Sequence, residues 1–374
     1  MSVTRRQVLR YRVHAQQLDR PTSSRRRPDD AAVLDLGVQD TGPDGALWAL
    51  AVRGVPVRAH DWPHELALAW TVRGAPHAYR RADLPAVEKA VRPWSEADAA
   101  SRVLNAAQSL RAAGIPVLDA LATTARAIRG VVDEPRDKGA VSTRMTAEMP
   151  EPYLRWCAGC GATHMYEMPF RLAALHAGLE LEPDTSPPVL RRVPRWPAEQ
   201  VGALERPATG DDGPVDLLRG LLHLLGPLTP KQAAGYLDAP LKEVTARWPE
   251  DAVDVELDGR TAGLLAQDVA ALEQPADEPV VRLLGPYDLF LQGRDRDLLV
   301  PDPTHHKELW PSIGRPGAVL ADGELVGTWR PRATGRTLGL ELTPWVPWSA
   351  QTTAAVDAEH ERLAQFRGLT PRRA

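Results

Sequence analysis

The chain is poor in the residues on which much cofactor and covalent chemistry depends. Only two cysteines, Cys157 and Cys160, occur among 374 residues. Three positions apart, they cannot build a disulfide framework, which fits a reducing compartment. No run of about 18 apolar residues could span a membrane, and the arginine-rich start lacks the apolar core of a secretory signal. A cytoplasmic protein without a membrane partner is expected. No G-x-x-x-x-G-K-[ST], G-x-S-x-G, G-x-G-x-x-G or H-E-x-x-H segment is present. Nucleotide hydrolysis, ester hydrolysis, dinucleotide binding and zincin chemistry therefore have no support. Excess charge is also missing, because the formal net charge is only −4. What positive charge there is comes almost entirely from arginine rather than lysine, and arginine suits planar, bidentate contact with phosphates and base edges. A GC-rich genome would produce the same bias.

What the chain does contain is proline, 35 residues of it, which cuts the sequence into short elements. Residues 182–214 and 272–279 are rich in breakers and read as linkers, with boundaries near 205 and 275. Between them, 215–225 is an apolar helix. Thr229, Pro230 and Gln232 then open a second helix with a T-x-x-Q capping box. Asp238 can cap a third helix carrying Leu241, Val244 and Trp248. "AVDVELDG" and "RTAGLLAQ" follow as a hairpin turning at Asp258-Gly259. Three helices and a two-stranded wing are the order of a winged helix, although many such modules bind no DNA.

The N-terminal part has a similar rhythm. Thr4 caps a helix with Val8, Leu9, Val13 and Leu18 inward and Arg5, Arg6, Arg10 and Arg12 outward. Strands at 32–39 and 46–53 would bracket a Thr41–Gly45 turn, placing Gln39 and Asp40 at a hairpin tip. Residues 64–72 read as a helix, as do two segments within 97–130, and a helix-turn-helix is expected over 116–148. The C-terminal part alternates as strands, turns at Asp322-Gly323 and ends in a helix at 349–366. The expected class is α+β, mainly α: tandem winged helix-turn-helix modules plus a C-terminal β-rich unit. The expected domains are 1–150 with the hairpin, 151–205 as a connection, 206–272 as a winged helix, and 280–374.

Several side chains could carry chemistry. "WCAGCGATH" gives Cys157, Cys160 and His164 the spacing of a zinc knuckle, with a glycine easing the tight turn. His176, His77 or an acidic residue would supply the fourth ligand. Two small buried hydrophobes are the plainer reading. Arg73, His77, Arg80 and Arg81 cluster in "RGAPHAYRR" as candidate phosphate ligands, although a lone histidine is more often structural. His305 and His306 fit a solvated helix start better than a metal site. Trp329 with Arg330 reads as a core tryptophan beside a surface arginine.

Taken together, these segments resemble the AlkZ/YcaQ family of winged-helix DNA glycosylases. "LAWTVRGAPHAYRRADL" is similar to that family's Arg-Gly-Thr-x-His segment, with Arg73, Gly74 and His77 in register. "LHLLGPLTPKQAAGYL" resembles its Tyr-Gly-Pro-Ala-Thr segment. The C-terminal signature is the most specific, with Asp288, Leu291, Gly293, Arg294, Asp295, Arg296, Gly327, Trp329 and Arg330 in register. The resemblance implies a DNA-binding face that includes Arg73, His77, Arg80, Arg81, Arg294, Arg296, Trp329 and Arg330. It also implies base excision at a hairpin bearing Gln-Φ-Gln or Gln-Φ-Asp, with no required cofactor.

This chain reads Gly37-Val38-Gln39-Asp40, so Gln39 falls on the second catalytic position and Gly37 replaces the first amide. Residues two apart in a strand share a face, so Gly37 and Gln39 would point toward one site. Gln39 and Asp40 are the catalytic candidates. The expectation is a monomer acting on double-stranded DNA as a monofunctional glycosylase for alkylated or bulky-adducted bases. A non-catalytic family member with a disarmed site, or a transcription regulator, is the alternative.

Overall fold

The computed structural model describes residues 1–42, 44–204, 215–275 and 279–372. Parts of the two breaker-rich stretches, 205–214 of the first and 276–278 of the second, lie outside the described residues. Helices and strands are mixed, as expected for an α+β chain. The chain forms two compact units. The first takes Met1–Pro63, Leu218–Tyr236 and Pro249–Ala374, and the second takes His64–Leu217 and Leu237–Trp248.

These units cut across the boundaries expected from the sequence. In the first unit, Leu9, Val13 and Leu18 near the N-terminus and Leu47 and Trp48 share one buried cluster with Leu283, Phe290, Val319, Trp329 and Leu363. Burial of apolar surface is indifferent to sequence separation, so the beginning and end of the chain are stabilised together. Five strands, Val281–Leu284, Gly317–Ala321, Glu324–Thr334, Thr337–Pro344 and Thr370–Pro371, form the C-terminal sheet in that order. The helix Ala350–Phe366 packs on its first strand, and Asp322-Gly323 turns the hairpin with both residues at positive φ.

The same unit holds a smaller sheet. Ala252–Leu257 and Arg260–Leu265 pair antiparallel through Asp258-Gly259, and Ser2–Val3 joins the first of them in parallel. Both turn residues have positive φ, 50° and 73°, which suits a tight two-residue hairpin. The capping box forms: the Gln232 amide N–H donates to Thr229 Oγ1 at 3.2 Å and the Thr229 N–H to Gln232 Oε1 at 2.7 Å. The helices Leu217–Leu225, Pro230–Leu237 and Leu241–Ala246 follow one another before the hairpin, but the third is grouped with the second unit. Leu241 is exposed rather than on a buried face.

The helix Arg5–Ala15 carries its Thr4 capping box, with one departure. Arg12 is fully buried, not outward. It donates to Asp295 Oδ2 at 2.5 Å and to the Gly226 carbonyl at 3.1 Å, so a specific acceptor set outweighs the tendency of arginine to reach solvent. Asp288 is bound in the same way. Arg53 donates to both its oxygens at 2.7 and 2.8 Å, and both side chains are fully buried. Two acidic residues of the C-terminal signature are thus partners of buried arginines from the N-terminal segment.

The second unit is built around a sheet in the order Pro76–Arg80, Leu66–Trp70, Leu179–Leu181, Val189–Arg192, Arg136–Asp137. Residues 64–72 were expected to be helical, yet Leu66–Trp70 is a strand with all five residues buried. A short, uniformly apolar run carries no periodicity to separate a central strand from a buried helix. The helices Val117–Val131 and Lys138–Glu148 lie within the segment expected to hold a helix-turn-helix, the second capped by Asp137, whose side chain accepts from Ala140 N–H at 2.9 Å.

Candidate active site

Gln39 sits where an irregular backbone delivers a polar side chain to a cleft of the first unit. A 3-10 turn at Ala32–Asp35 leads through Gly37, at φ 78°, into the extended pair Val38–Gln39. The expected second strand at 46–53 is instead the helix Gly45–Ala51, so Gln39 and Asp40 stand before a helix and not at a hairpin tip. Ala46 to Ala51 are all buried, so their pattern has no polar face from which to read a period. The positive φ at Gly37 also ends the strand alternation there. The shared-face argument for Gly37 and Gln39 fails, and any side chain at 37 would meet backbone strain.

The two candidates for catalysis have different surroundings. Asp40 Oδ1 accepts the Ala46 N–H at 2.9 Å, binding one of the unpaired donors at the start of the helix. Gln39 Nε2 donates to Thr41 Oγ1 at 2.9 Å, which fixes the orientation of the carboxamide. Its oxygen is an acceptor that could hold a water.

The cleft that Gln39 lines has a volume of about 200 Å³. Trp48, Pro286, Tyr287 and Trp329 supply aromatic and apolar wall, and Arg315, Arg330, Arg332 and Arg367 supply positive charge. Arg315 lies 5.1 Å from the centre of the Tyr287 ring. Arg367 Nε donates to Asp44 Oδ2 at 2.7 Å, tying the end of the last helix to the residue preceding Gly45–Ala51. Arg332 pairs with Glu341. Trp329, expected as a DNA contact, is 3% exposed and donates its indole N–H to the Leu284 carbonyl at 2.9 Å. It supports the cleft from below, and Arg330, next along the strand, is partly exposed.

The remaining candidates fall elsewhere. Arg294 and Arg296 are exposed in the first unit but do not line the cleft. Arg296 lies 4.9 Å from the Trp310 ring centre, and its pKa is lowered by the partial desolvation of its guanidinium and then by the neighbouring Arg315. Arg73, His77, Arg80 and Arg81 all belong to the second unit. His77 is fully buried, out of reach of a phosphate, and shares Nδ1 contacts of 2.9 Å with the Ala75 carbonyl and 3.1 Å with Thr71 Oγ1. Burial first, and Arg73 to a smaller extent, push its pKa down to about 3 against the raising effect of the Ala75 hydrogen bond. Arg81 pairs with buried Glu180 at 2.8 Å, and Arg80 lies 3.6 Å from Asp83.

Cys157, Cys160 and His164 do come together, with one ligand atom from each within 4.8 Å of the others. His176 is bound to Glu88 at 2.7 Å instead. His305 stacks on Trp345, and His306 Nε2 lies 2.7 Å from the Val300 carbonyl. Sequence reasoning missed Tyr287, Arg315, Arg332 and Arg367. Tyr287 and Arg332 adjoin residues of the C-terminal signature; Arg315 and Arg367 have no local signal, because only tertiary packing brings them to the cleft that Gln39 lines.

Comparison with known proteins bears on this geometry. The family model for AlkZ-like DNA glycosylases matches residues 33–366. The structure of Streptomyces sahachiroi DNA glycosylase AlkZ is similar, with a TM-score of 0.70 and 21% identity over all of both chains. No curated protein matches the chain. At 21% identity the structural likeness speaks for the fold, whereas the family match spans most of the sequence. The chain belongs to the AlkZ-like DNA glycosylase family.

Proposed function

We propose that this protein is a monofunctional DNA glycosylase that acts, as a monomer with winged-helix modules, on alkylated or bulky-adducted bases in duplex DNA. The observation that carries the reading is Gln39, held by Thr41 on the wall of a cleft lined by aromatic and arginine side chains. Arginines would hold the phosphates flanking the lesion, and the partly exposed Tyr287 would meet the displaced nucleotide, with buried Trp48 as support behind it.

At about 200 Å³ the cleft is below the roughly 300–1,000 Å³ of a pocket that encloses a drug-sized ligand. It would seat one nucleotide part while a large adduct projects into solvent. In the reaction, water attacks the anomeric carbon and the N-glycosidic electron pair leaves with the base. A base made cationic by alkylation departs neutral, so no general acid is required. Gln39 would accept a hydrogen bond from the water and hold it in line, and the water's proton would pass to solvent. Positioning alone can supply several kcal/mol of the barrier reduction.

One observation favours a second reading. Gly37 offers no amide, and its positive φ would strain any side chain placed at that position. A non-catalytic DNA-binding member would follow. The test is release of free base from duplex DNA treated with a methylating agent or a nitrogen mustard. Release supports the glycosylase; duplex binding with no release from any such substrate supports the non-catalytic reading.

A further inference from the structure

The second unit carries a short hairpin, Leu154–Cys157 and Ala162–Met165, whose chemistry base excision does not use. Both cysteines are free thiols. Arg155 pairs across the hairpin with His164, and Cys157 lies two residues beyond Arg155. The Cys157 thiol and the His164 imidazole therefore project from one face. The turn then folds back on itself. The N–H groups of Cys160 and Gly161 both donate to the Cys157 carbonyl, at 3.2 and 2.9 Å, and Gly161 adopts φ 62°. This closure brings Cys160 beside its partner.

Two independent observations point to a ligand. One sulfur from each cysteine and one nitrogen of His164 lie within 4.8 Å of one another. Among the described residues, His164 Nε2 is buried without a hydrogen-bond partner, a state that costs about 1–3 kcal/mol unless a ligand satisfies it. Zinc–sulfur bonds of about 2.3 Å and zinc–nitrogen bonds of about 2.0 Å put tetrahedral ligand atoms roughly 3.5–3.8 Å apart. Side-chain rotation closes a gap of that size without moving the strands.

We propose that Cys157, Cys160 and His164 bind a zinc ion that pins the hairpin, with water in the fourth position. Among the described residues no fourth cysteine, histidine or carboxylate joins the group, and the exposed tip leaves the ion open to solvent. Two thiolates and a neutral imidazole match the preference of zinc over harder cations such as magnesium.

The test is metal analysis of full-length protein purified under reductant, loaded with zinc and desalted, beside Cys160→Ser and His164→Asn. Cobalt(II) substitution is the second readout. Stoichiometric zinc in the wild type, a fall to below about a tenth in Cys160→Ser, and visible tetrahedral cobalt bands with sulfur-to-metal charge transfer are expected. Circular dichroism checks that the variants stay folded. Less than about 0.2 zinc per wild-type chain overturns the site, and so does undiminished binding by His164→Asn.

Discussion

Replacing Asp288 by asparagine tests the account of the first unit's core. Asp288 and Arg53 are both fully buried. Arg53 Nη1 donates to Asp288 Oδ2 at 2.7 Å and to the Ala49 carbonyl at 2.7 Å. Its Nη2 donates to Asp288 Oδ1 at 2.8 Å and to Gln16 Oε1 at 3.1 Å. Asparagine keeps the size and one oxygen, which can still accept from the Phe290 N–H that now lies 3.0 Å from Asp288 Oδ1. It turns the other acceptor into a donor facing a guanidinium and leaves a buried cation uncompensated.

Removing one partner of such a pair costs about 3–5 kcal/mol. In a unit of this size that is roughly 6–20 °C in melting temperature, at about 2–4 °C per kcal/mol. Differential scanning calorimetry or urea unfolding of the full chain measures it. Removing both charges with Arg53→Leu and Asp288→Leu should destabilise by less than Asp288→Leu alone. A deficit below about 1 kcal/mol in Asp288→Asn, the level of an exposed ion pair, would refute the reasoning.

Three further outcomes are expected. The unfolded chain protonates His77 below about pH 6.5, whereas the folded imidazole stays neutral down to about pH 3, so stability falls as pH drops through that window. The slope from this residue is about 1.4 kcal/mol per pH unit, and denaturation curves between about pH 4.5 and 6 should flatten by that amount in His77→Gln. A Cβ on Gly45 would lie 2.8 Å from Asp40 Cα and 2.9 Å from its Oδ1, so Gly45→Ala should lose the Asp40–Ala46 bond, about 1–3 kcal/mol of stability, and base release. Stability and activity assays that match wild type would contradict it. Arg296→Ala with Arg330→Ala should lower the log-log salt slope of duplex binding by about 0.9 for each phosphate that is no longer neutralised, equally for all sequences; an unchanged slope would remove both from the interface.

Local signals were legible in the sequence wherever short-range chemistry decided the structure. The capping boxes at Thr4 and Thr229 and the Asp258-Gly259 and Asp322-Gly323 turns each depend on residues within a few positions. The misread elements, Leu66–Trp70 and Gly45–Ala51, are uniformly buried or nearly so, and burial on all sides erases the period that distinguishes strand from helix. At the site, Gln39 could be named because its signature is contiguous. The role of Asp40 in starting a helix, the burial of His77 and Trp329, and the arginines opposite Gln39 depend on tertiary partners that no spacing discloses.

The central claim is that Gln39 acts on the chemical step. The most direct measurement compares single-turnover base release from an alkylated duplex by wild type and Gln39→Ala, with duplex affinity measured in parallel. Loss of a group that acts only in the transition state lowers the rate and spares ground-state binding. Release should fall by about 100-fold or more, with affinity within roughly threefold of wild type, a change under about 1 kcal/mol. Base release by Gln39→Ala at the wild-type rate would contradict the account.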